Sequence, residues 1–422
     1  MIRIMPWASI AEDEILSRSV RTENVQRTVS EIIANVRANG DGALKEYAKK
    51  FDRAEIDNLL VTEAEFEEAF SRVSEELLNV IRRAAKNIEA FHMNQKRTGF
   101  VMTAPDGVVL GQRVLPLEKV GLYIPNGTAS YPSTVLMNAI PAKIAGCCEI
   151  IMVSPTGPDG KIAASILAAA KIAGVTKVCK AGGAQAVAAL AYGTESVPRV
   201  DKIVGPGNAY VAEAKRQVYG QVAIDMIAGP SEILIISDEK SDPACLAADL
   251  LSQAEHDTMA SAVLVTTSEE LAKQVQAEVE KQLNELPRCG IARASIENNG
   301  KILIVEDLKQ ALEASNRLAP EHLELCVEDP FALLDGVKNA GSVFLGRNCP
   351  ESLGDYLAGP NHTLPTMGTA RFSSPLSVDD FVKKTAFTYY TAEALKNVRD
   401  DIAVFARSEG LEAHARAALF RK

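Results

Sequence analysis

Residues 149–192 read EIIMVSPTGPDGKIAASILAAAKIAGVTKVCKAGGAQAVAALAY. An apolar run at 150–153 closes on proline and glycine, and an alanine-rich stretch of helical period follows over 161–173. A second short run at 177–179 then opens onto Gly182-Gly183 and another alanine-rich stretch over 184–192. Strands buried on both faces read as unbroken apolar runs, and parallel strands need helical crossovers of this length, so the stretch predicts two successive strand–helix units of a parallel sheet. The pattern extends outward in both directions. Runs at 120–124, 202–204 and 222–225 alternate with helical stretches at 133–145 and 209–219, which completes one doubly wound α/β unit. Runs at 232–236, 262–265, 301–305 and 342–345, separated by helical stretches at 246–254, 269–286 and 308–317, predict a second sheet. Residues 25–36 and 63–91 read as charged amphipathic helices. The tail from Asp379 reads as helical, over 391–405 and 412–420. It is too short for a core of its own and is expected to pack on something else, a second subunit being one candidate.

The 422 residues suit two or three domains, and 47% hydrophobic with 24% charged residues is the balance of a globular chain. Forty-five basic against 55 acidic residues give a net charge of −10, which excludes a broad nucleic-acid surface; an anionic ligand needs a local pocket. The seven cysteines, Cys147, Cys148, Cys179, Cys245, Cys289, Cys326 and Cys349, are odd in number and have no CxxC spacing, which points to a reducing compartment. Residues 1–7 carry no export-type apolar run. Residues 120–142 are uncharged and long enough to span a bilayer, but Pro125, Pro132 and Pro141 interrupt them. A cytosolic protein without a membrane partner is expected.

Only five histidines are present, and four of them, His256, His322, His362 and His414, sit among polar residues in the second half; His92 lies in the helical N-terminal part. Asp242-Pro243 starts a helix that ends on Gln253-Ala-Glu-His256, with Asp242 as N-cap and Pro243 in the first turn. A spacing of three puts Gln253 and His256 on one face, able to converge on an ion, although a polar helix end is the commoner explanation of such a spacing. In Leu318-Ala-Pro-Glu-His322, a Glu in a first helical turn is ordinary dipole chemistry; an adjacent Glu and His can equally divide proton work. Gly354-Asp355 and Asn361-His362 lie in a loop rich in Gly, Pro and Asn. His414, after Glu409, reads by default as part of a surface helix. Gly182-Gly183-Ala-Gln185 and Gly205-Pro-Gly207-Asn208 are strand-to-helix turns that offer backbone N–H groups to a phosphate. Neither is a GxGxxG, and tight packing uses such turns as often.

Seven segments together resemble the histidinol dehydrogenase family over nearly the whole chain. They are 120–147 (VGLYIPNGTASYPSTVLMNAIPAKIAGC), 182–216 (GGAQAVAALAYGTESVPRVDKIVGPGNAYVAEAKR), 224–235 (IDMIAGPSEILI), 249–257 (DLLSQAEHD), 318–325 (LAPEHLEL), 359–384 (GPNHTLPTMGTARFSSPLSVDDFVKK) and 409–417 (EGLEAHARA). The resemblance implies NAD-dependent, zinc-requiring oxidation of L-histidinol to L-histidine through L-histidinal. It implies zinc held by Gln253, His256, Asp355 and His414, the last from the partner subunit of a homodimer. Glu321 matches the residue that activates water, and His322 the general base. Ser231, His362 and Glu409 match further substrate contacts, shared with Gln253, His256, His322, Asp355 and His414, while Tyr123, Gln185 and Asn208 match NAD contacts.

The implied architecture is two incomplete Rossmann-like doubly wound domains, one inserted in the other, with small helical extensions at both ends. It places an N-terminal arm at 1–19 and a domain carrying the zinc ligands and the acid–base pair at 20–120 and 232–376. An NAD-binding domain follows at 121–231, and a dimerisation tail at 377–422. The departures are Asn126, where a glycine is common, followed by Ser130 and Tyr131, and Thr258-Met259 after His-Asp; a positive φ at Asn126 would strain the loop beside the cofactor. The alternatives are a related zinc- and NAD-dependent dehydrogenase of another small alcohol, such as a sulfonated diol, and a non-catalytic metal- or nucleotide-binding subunit.

Overall fold

The structure, a computed structural model, describes residues 1–9, 23–126 and 130–421. Its first strand, β1 (Arg3–Pro6), is followed by helices α1 (Glu23–Tyr47), α2 (Glu63–Arg72) and α3 (Glu75–His92), and by strands β2 (Phe100–Thr103) and β3 (Val109–Pro116). The central unit runs β4 (Lys119–Tyr123), α4 (Pro132–Ala145), β5 (Glu149–Ser154), α5 (Ala164–Ala173), β6 (Lys177–Lys180), α6 (Gly183–Tyr192), β7 (Lys202–Val204), α7 (Ala209–Val218) and β8 (Ala223–Ile224). The next runs β9 (Glu232–Ser237), α8 (Pro243–Ala254), β10 (Ser261–Thr266), α9 (Glu269–Leu283), α10 (Cys289–Asn298), β11 (Lys301–Ile304), α11 (Leu308–Leu318), β12 (His322–Cys326), α12 (Pro330–Leu334), β13 (Ser342–Leu345) and α13 (Glu351–Tyr356). β14 (Val382–Tyr389), α14 (Ala392–Ser408) and α15 (Glu412–Leu419) finish the chain.

Among the described residues the strands form three sheets. One is parallel in the order β6-β5-β4-β7-β8, and a second is parallel in the order β1-β11-β10-β9-β12-β13. Numbered within its own unit, each contains the strand order 3-2-1-4-5, which is that of a Rossmann sheet lacking its last strand. Both sheets are doubly wound. Along β5, Ile151 and Val153 face α1, α6 and α7, while Ile150 and Met152 face α2 to α5, the period-2 alternation of a strand buried on both sides. Along β9, Ile233 and Ile235 face α8, α9 and α10, and Leu234 and Ile236 face α11.

Most helix signals read from the sequence recur with shifts of a few residues, but the helix read at 25–36 kinks at Gly40 (φ +49°) and continues to Tyr47; Asp242 caps α8 as expected, its side chain accepting from Ala244 N–H at 2.8 Å. Four further readings change. The stretch 63–91 breaks in two, because Ser74 leaves the helical conformation to cap α3. Residues 20–120, expected with 232–376, instead place α1, α2 and α3 on the five-stranded sheet, where α1 packs on α6 and α7, α2 on α5, and α3 on α4; their apolar faces fit that sheet's two core layers. Residues 3–6 of the expected N-terminal arm are an edge strand of the six-stranded sheet, paired with β11, and residues 10–19 of that arm lie outside the described residues. Finally, the tail is not helical throughout: β14 pairs antiparallel with β3, which pairs with β2, because a strand lying on the molecular surface lacks the apolar run by which buried strands are recognised. No helix among the described residues is long and apolar enough to cross a membrane.

Candidate functional site

The five-stranded sheet reverses its order between β4 and β7, and crevices at the carboxyl ends of strands flanking such a reversal take nucleotides. Tyr123 ends β4 there, and its buried hydroxyl accepts from Gly183 N–H at 3.0 Å; burial pushes its phenol up to about 12. Gln185 is buried in the first turn of α6, and Asn208 caps α7, accepting from the N–H groups of Tyr210 and Val211 at 3.0 and 3.2 Å. Gly205, at the end of β7, has φ +111°, and a Cβ there would stand 2.2 Å from the Tyr123 carbonyl oxygen, so only glycine lets the two strand ends approach. A buried ion pair holds the same residue from both sides. Lys215 Nζ donates to the Gly205 carbonyl at 3.0 Å, and Asp225, paired with Lys215, accepts from Gly205 N–H at 2.7 Å. Asn126 has no positive φ, so the expected strain does not arise; it donates to the Pro155 carbonyl at 3.0 Å and accepts from Ser130 at 3.2 Å.

A second set of groups collects at the opposite kind of edge, the amino ends of the six-stranded sheet. Glu232 starts β9 and His322 starts β12; Glu321 therefore precedes a strand and does not occupy a first helical turn. Gln253 lies in the last turn of α8 with His256 just beyond, and Asp355 lies on α13. His322 is 4% exposed, and its Nδ1–H donates to the Glu232 carbonyl at 3.1 Å, which leaves Nε2 with a free lone pair 3.7 Å from Glu351 Oε1. Burial lowers His322 to about 4, so the ring is neutral near pH 7. Glu321 Oε2 stands 3.9 Å from His322 Nδ1 and accepts from Glu232 N–H at 2.9 Å; burial and the Glu232 carboxylate hold Glu321 well above the usual carboxylate range. Asp355 is buried, which raises it, but the His362 hydrogen bond and the neighbouring imidazoles outweigh burial and bring it down to about 2. His362 Nδ1 lies 3.5 Å from Asp355, and its Nε2 lies 3.2 Å from Thr134 Oγ1 at the start of α4, so this imidazole bridges the edges of the two sheets.

Of the residues singled out in the sequence, Glu321, His322, Asp355 and His362 are joined by short contacts, and Gln253 lies against Glu351 while His256 is near enough to feel the Asp355 charge. Ser231 is adjacent, its carbonyl accepting from Ser261 N–H at 3.0 Å. Glu409 and His414 do not join them within one chain. Both are exposed, at the end of α14 and on α15, helices that pack chiefly on each other. Two acids escaped the sequence reading. Glu351 resembles an ordinary first-turn acid after a proline, and Glu232 an acid heading an apolar strand, so neither carries a local signal.

The donor set suits a divalent cation such as zinc. Oxygen and imidazole nitrogen are its ligand types, and ligand atoms of His322, Glu351 and Asp355 all lie within 4.8 Å of one another; of the ligands that the resemblance implies, Asp355 belongs to this group and His256 does not. The buried Gln253 amide and Glu351 Oε1 have no partner in hydrogen-bond geometry, the condition of groups awaiting a ligand. Burial together with the Asp355 charge lifts Glu351 to about 8, a carboxylate short of positive charge.

Two Rossmann-type sheets meeting across a buried imidazole–carboxylate cluster have the build of a dehydrogenase. The family model for histidinol dehydrogenase matches residues 16–422. The histidinol dehydrogenase of Geobacillus kaustophilus (strain HTA426) is 57% identical over 396 residues, covering 94% of this chain and 93% of its own. That of Geobacter sulfurreducens (strain ATCC 51573 / DSM 12127 / PCA) is 55% identical over 411 residues, 96% of each. The crystal structure of histidinol dehydrogenase from Elizabethkingia anophelis superposes with a TM-score of 0.94 at 40% identity, covering 100% of this chain and 98% of that one. The chain belongs to the histidinol dehydrogenase family, and is an oxidoreductase.

Proposed function

We propose that the chain oxidises L-histidinol to L-histidine by two successive hydride transfers to NAD, at a zinc site formed by Gln253, His256, Asp355 and His414 of the partner subunit. The observation that carries this reading is His322, kept neutral by burial, within reach of Glu321, Glu351 and Asp355, with the buried Gln253 side chain against Glu351. Zinc, when bound, orients the substrate and polarises its reacting oxygen, and NAD takes the hydride.

The chain's own residues move the protons. His322 Nε2 accepts the hydroxyl proton as the first hydride leaves carbon, and the Glu232 carbonyl fixes the tautomer that makes this possible. Glu321 takes a proton from the water that adds to the aldehyde. His322, relieved of its first proton, then accepts one from the resulting gem-diol as the second hydride leaves. Alcohol, water and two oxidised nicotinamides thus become carboxylate, two reduced nicotinamides and three protons. Ser231, His362 and Glu409 are proposed to bind the substrate. Tyr123, Gln185 and Asn208 are proposed to contact NAD, with the N-termini of α6 and α7 facing its phosphates. No thiol is needed: the buried Cys326 is pushed far up by burial and by Glu324, the opposite of a nucleophile's setting.

The test is stoichiometry on zinc-loaded enzyme. About two NADH form per histidinol consumed, as four-electron oxidation with a two-electron acceptor requires. A ratio near one with accumulating aldehyde refutes the two-step reading.

A further inference from the structure

The proton chemistry above does not use the buried carboxyl group of Glu324. It sits in the middle of β12, is 0% exposed, and lies two residues from His322 on the same face of the sheet. A carboxyl group inside a parallel strand is costly unless every oxygen is occupied. Here Oε2 accepts from the Cys326 thiol, on β12 itself, at 3.8 Å, and Oε1 reaches a different element. Glu324 Oε1 accepts from Glu351 N–H, the first free donor of α13, at 2.7 Å. The Asp249 carboxyl on α8 lies against the same carboxyl group, and two carboxyl groups in such contact hold together only when a proton stands between them. Asp249 stands four residues before Gln253, one helical turn away on the same face. A side strut runs parallel to this tie: Ser252 Oγ lies 3.3 Å from Glu351 Oε2 and donates to the Asp249 carbonyl at 2.8 Å.

The arrangement joins three elements at one point. α8 carries Gln253 and leads into His256, β12 carries His322, and α13 carries Asp355. None of the three is tied to the others by sheet hydrogen bonding at this edge, because two are helices and the strand's ladder partners are β9 and β13. We infer that the Asp249–Glu324 pair is a positioning clamp that sets the spacing of α8, β12 and α13, and thereby of the zinc-binding side chains. The inference rests on the zinc reading above. It predicts that the clamp governs metal affinity separately from global stability, since outer groups that orient ligands are worth about 10- to 100-fold in metal affinity.

The experiment uses the full-length, zinc-loaded enzyme and four variants. Zinc per subunit is measured against a competing chelator, with thermal melting and the kcat and KM for histidinol alongside. Glu324→Gln keeps an acceptor for Glu351 N–H and supplies a donor for Asp249, and is expected to hold zinc within about threefold of the parent, as is Asp249→Asn. Glu324→Leu keeps the volume but leaves the Glu351 N–H without its acceptor and Asp249 without its partner, so it is expected to melt below Glu324→Gln. Below its melting temperature it is expected to lose zinc affinity by about 10- to 100-fold. Asp249→Leu, at a position less buried than Glu324, provides the same loss should Glu324→Leu fail to fold. Parental zinc affinity in both leucine variants overturns the clamp, and so does a loss in Glu324→Gln as large as in Glu324→Leu. Absence of zinc from the parental enzyme itself refutes the zinc reading, and the clamp with it.

Discussion

Burial settles the protonation of His322 before any substrate arrives. Charging the ring in that position costs more than its acidic neighbours return, so it stays neutral and ready to accept a proton. His322→Ala is expected to lower NADH formation by about 100- to 10,000-fold while zinc analysis still finds the metal, because the proposed general base has gone and the proposed ligands remain. The adjacency of Glu321 and His322 was legible in the sequence. The contribution of Glu351 was not, since it comes from a helix 29 positions away whose approach is a matter of packing. Asp52 gives a second prediction at this scale. It ends the π-helical turn Ala48–Asp52 after α1, and burial raises its carboxyl from 3.8 to about 6. The folded chain therefore holds this proton between roughly pH 4 and pH 6 where the unfolded chain has released it, so this group's contribution to stability falls as pH rises through that window. Asp52→Asn is expected to flatten that slope and to raise stability at pH 7–8 by about 1–2 kcal/mol, discounted for the group's partial exposure, in denaturant titrations at several pH values.

At the scale of elements, the strand–helix grammar was readable where strands are buried on both faces and closed by glycine or proline, as in β4 to β7. It failed at β12, whose HLELC mixes a histidine and an acid into the run, and at β14, an exposed strand. The turn after β7 also looked like an ordinary glycine turn in sequence. In the structure it is held by Lys215 and Asp225, both essentially inaccessible, bonded to the two sides of Gly205. Lys215→Met strands a buried Asp225 without its cation and is expected to cost about 3–5 kcal/mol in denaturant unfolding. If the turn seats NAD as proposed, the same variant raises the KM for NAD more than that for histidinol. Equal changes in both would detach the turn from the cofactor.

At the scale of the whole molecule, the amino edge of one sheet faces the carboxyl edge of the other, and His362 with Thr134 spans the seam. The tail carries exposed apolar side chains, among them Phe387, Tyr389, Val404, Phe405 and Phe420, on a sheet and a helical hairpin at the surface. His414 lies on that hairpin, and a site shared between two copies of the chain follows from the proposed ligand set. Mixing His322→Ala and His414→Ala chains before refolding is expected to restore about one quarter of parental activity, since half the dimers are mixed and each mixed dimer holds one intact site. Activity staying at the level of the separate variants would place the whole site within one chain.

The sequence by itself determined the two α/β units, the capped start of α8 and the scarce histidines, because strand burial, helix capping and residue type are local properties. Tertiary structure decided which sheet α1 to α3 cover, since an amphipathic face specifies burial and not its partner. It also decided that the acid–imidazole cluster forms at the amino ends of its strands. That placement, and the joining of Asp249, Glu324 and Glu351 around it, arise where distant segments meet, and no spacing along the chain encodes them.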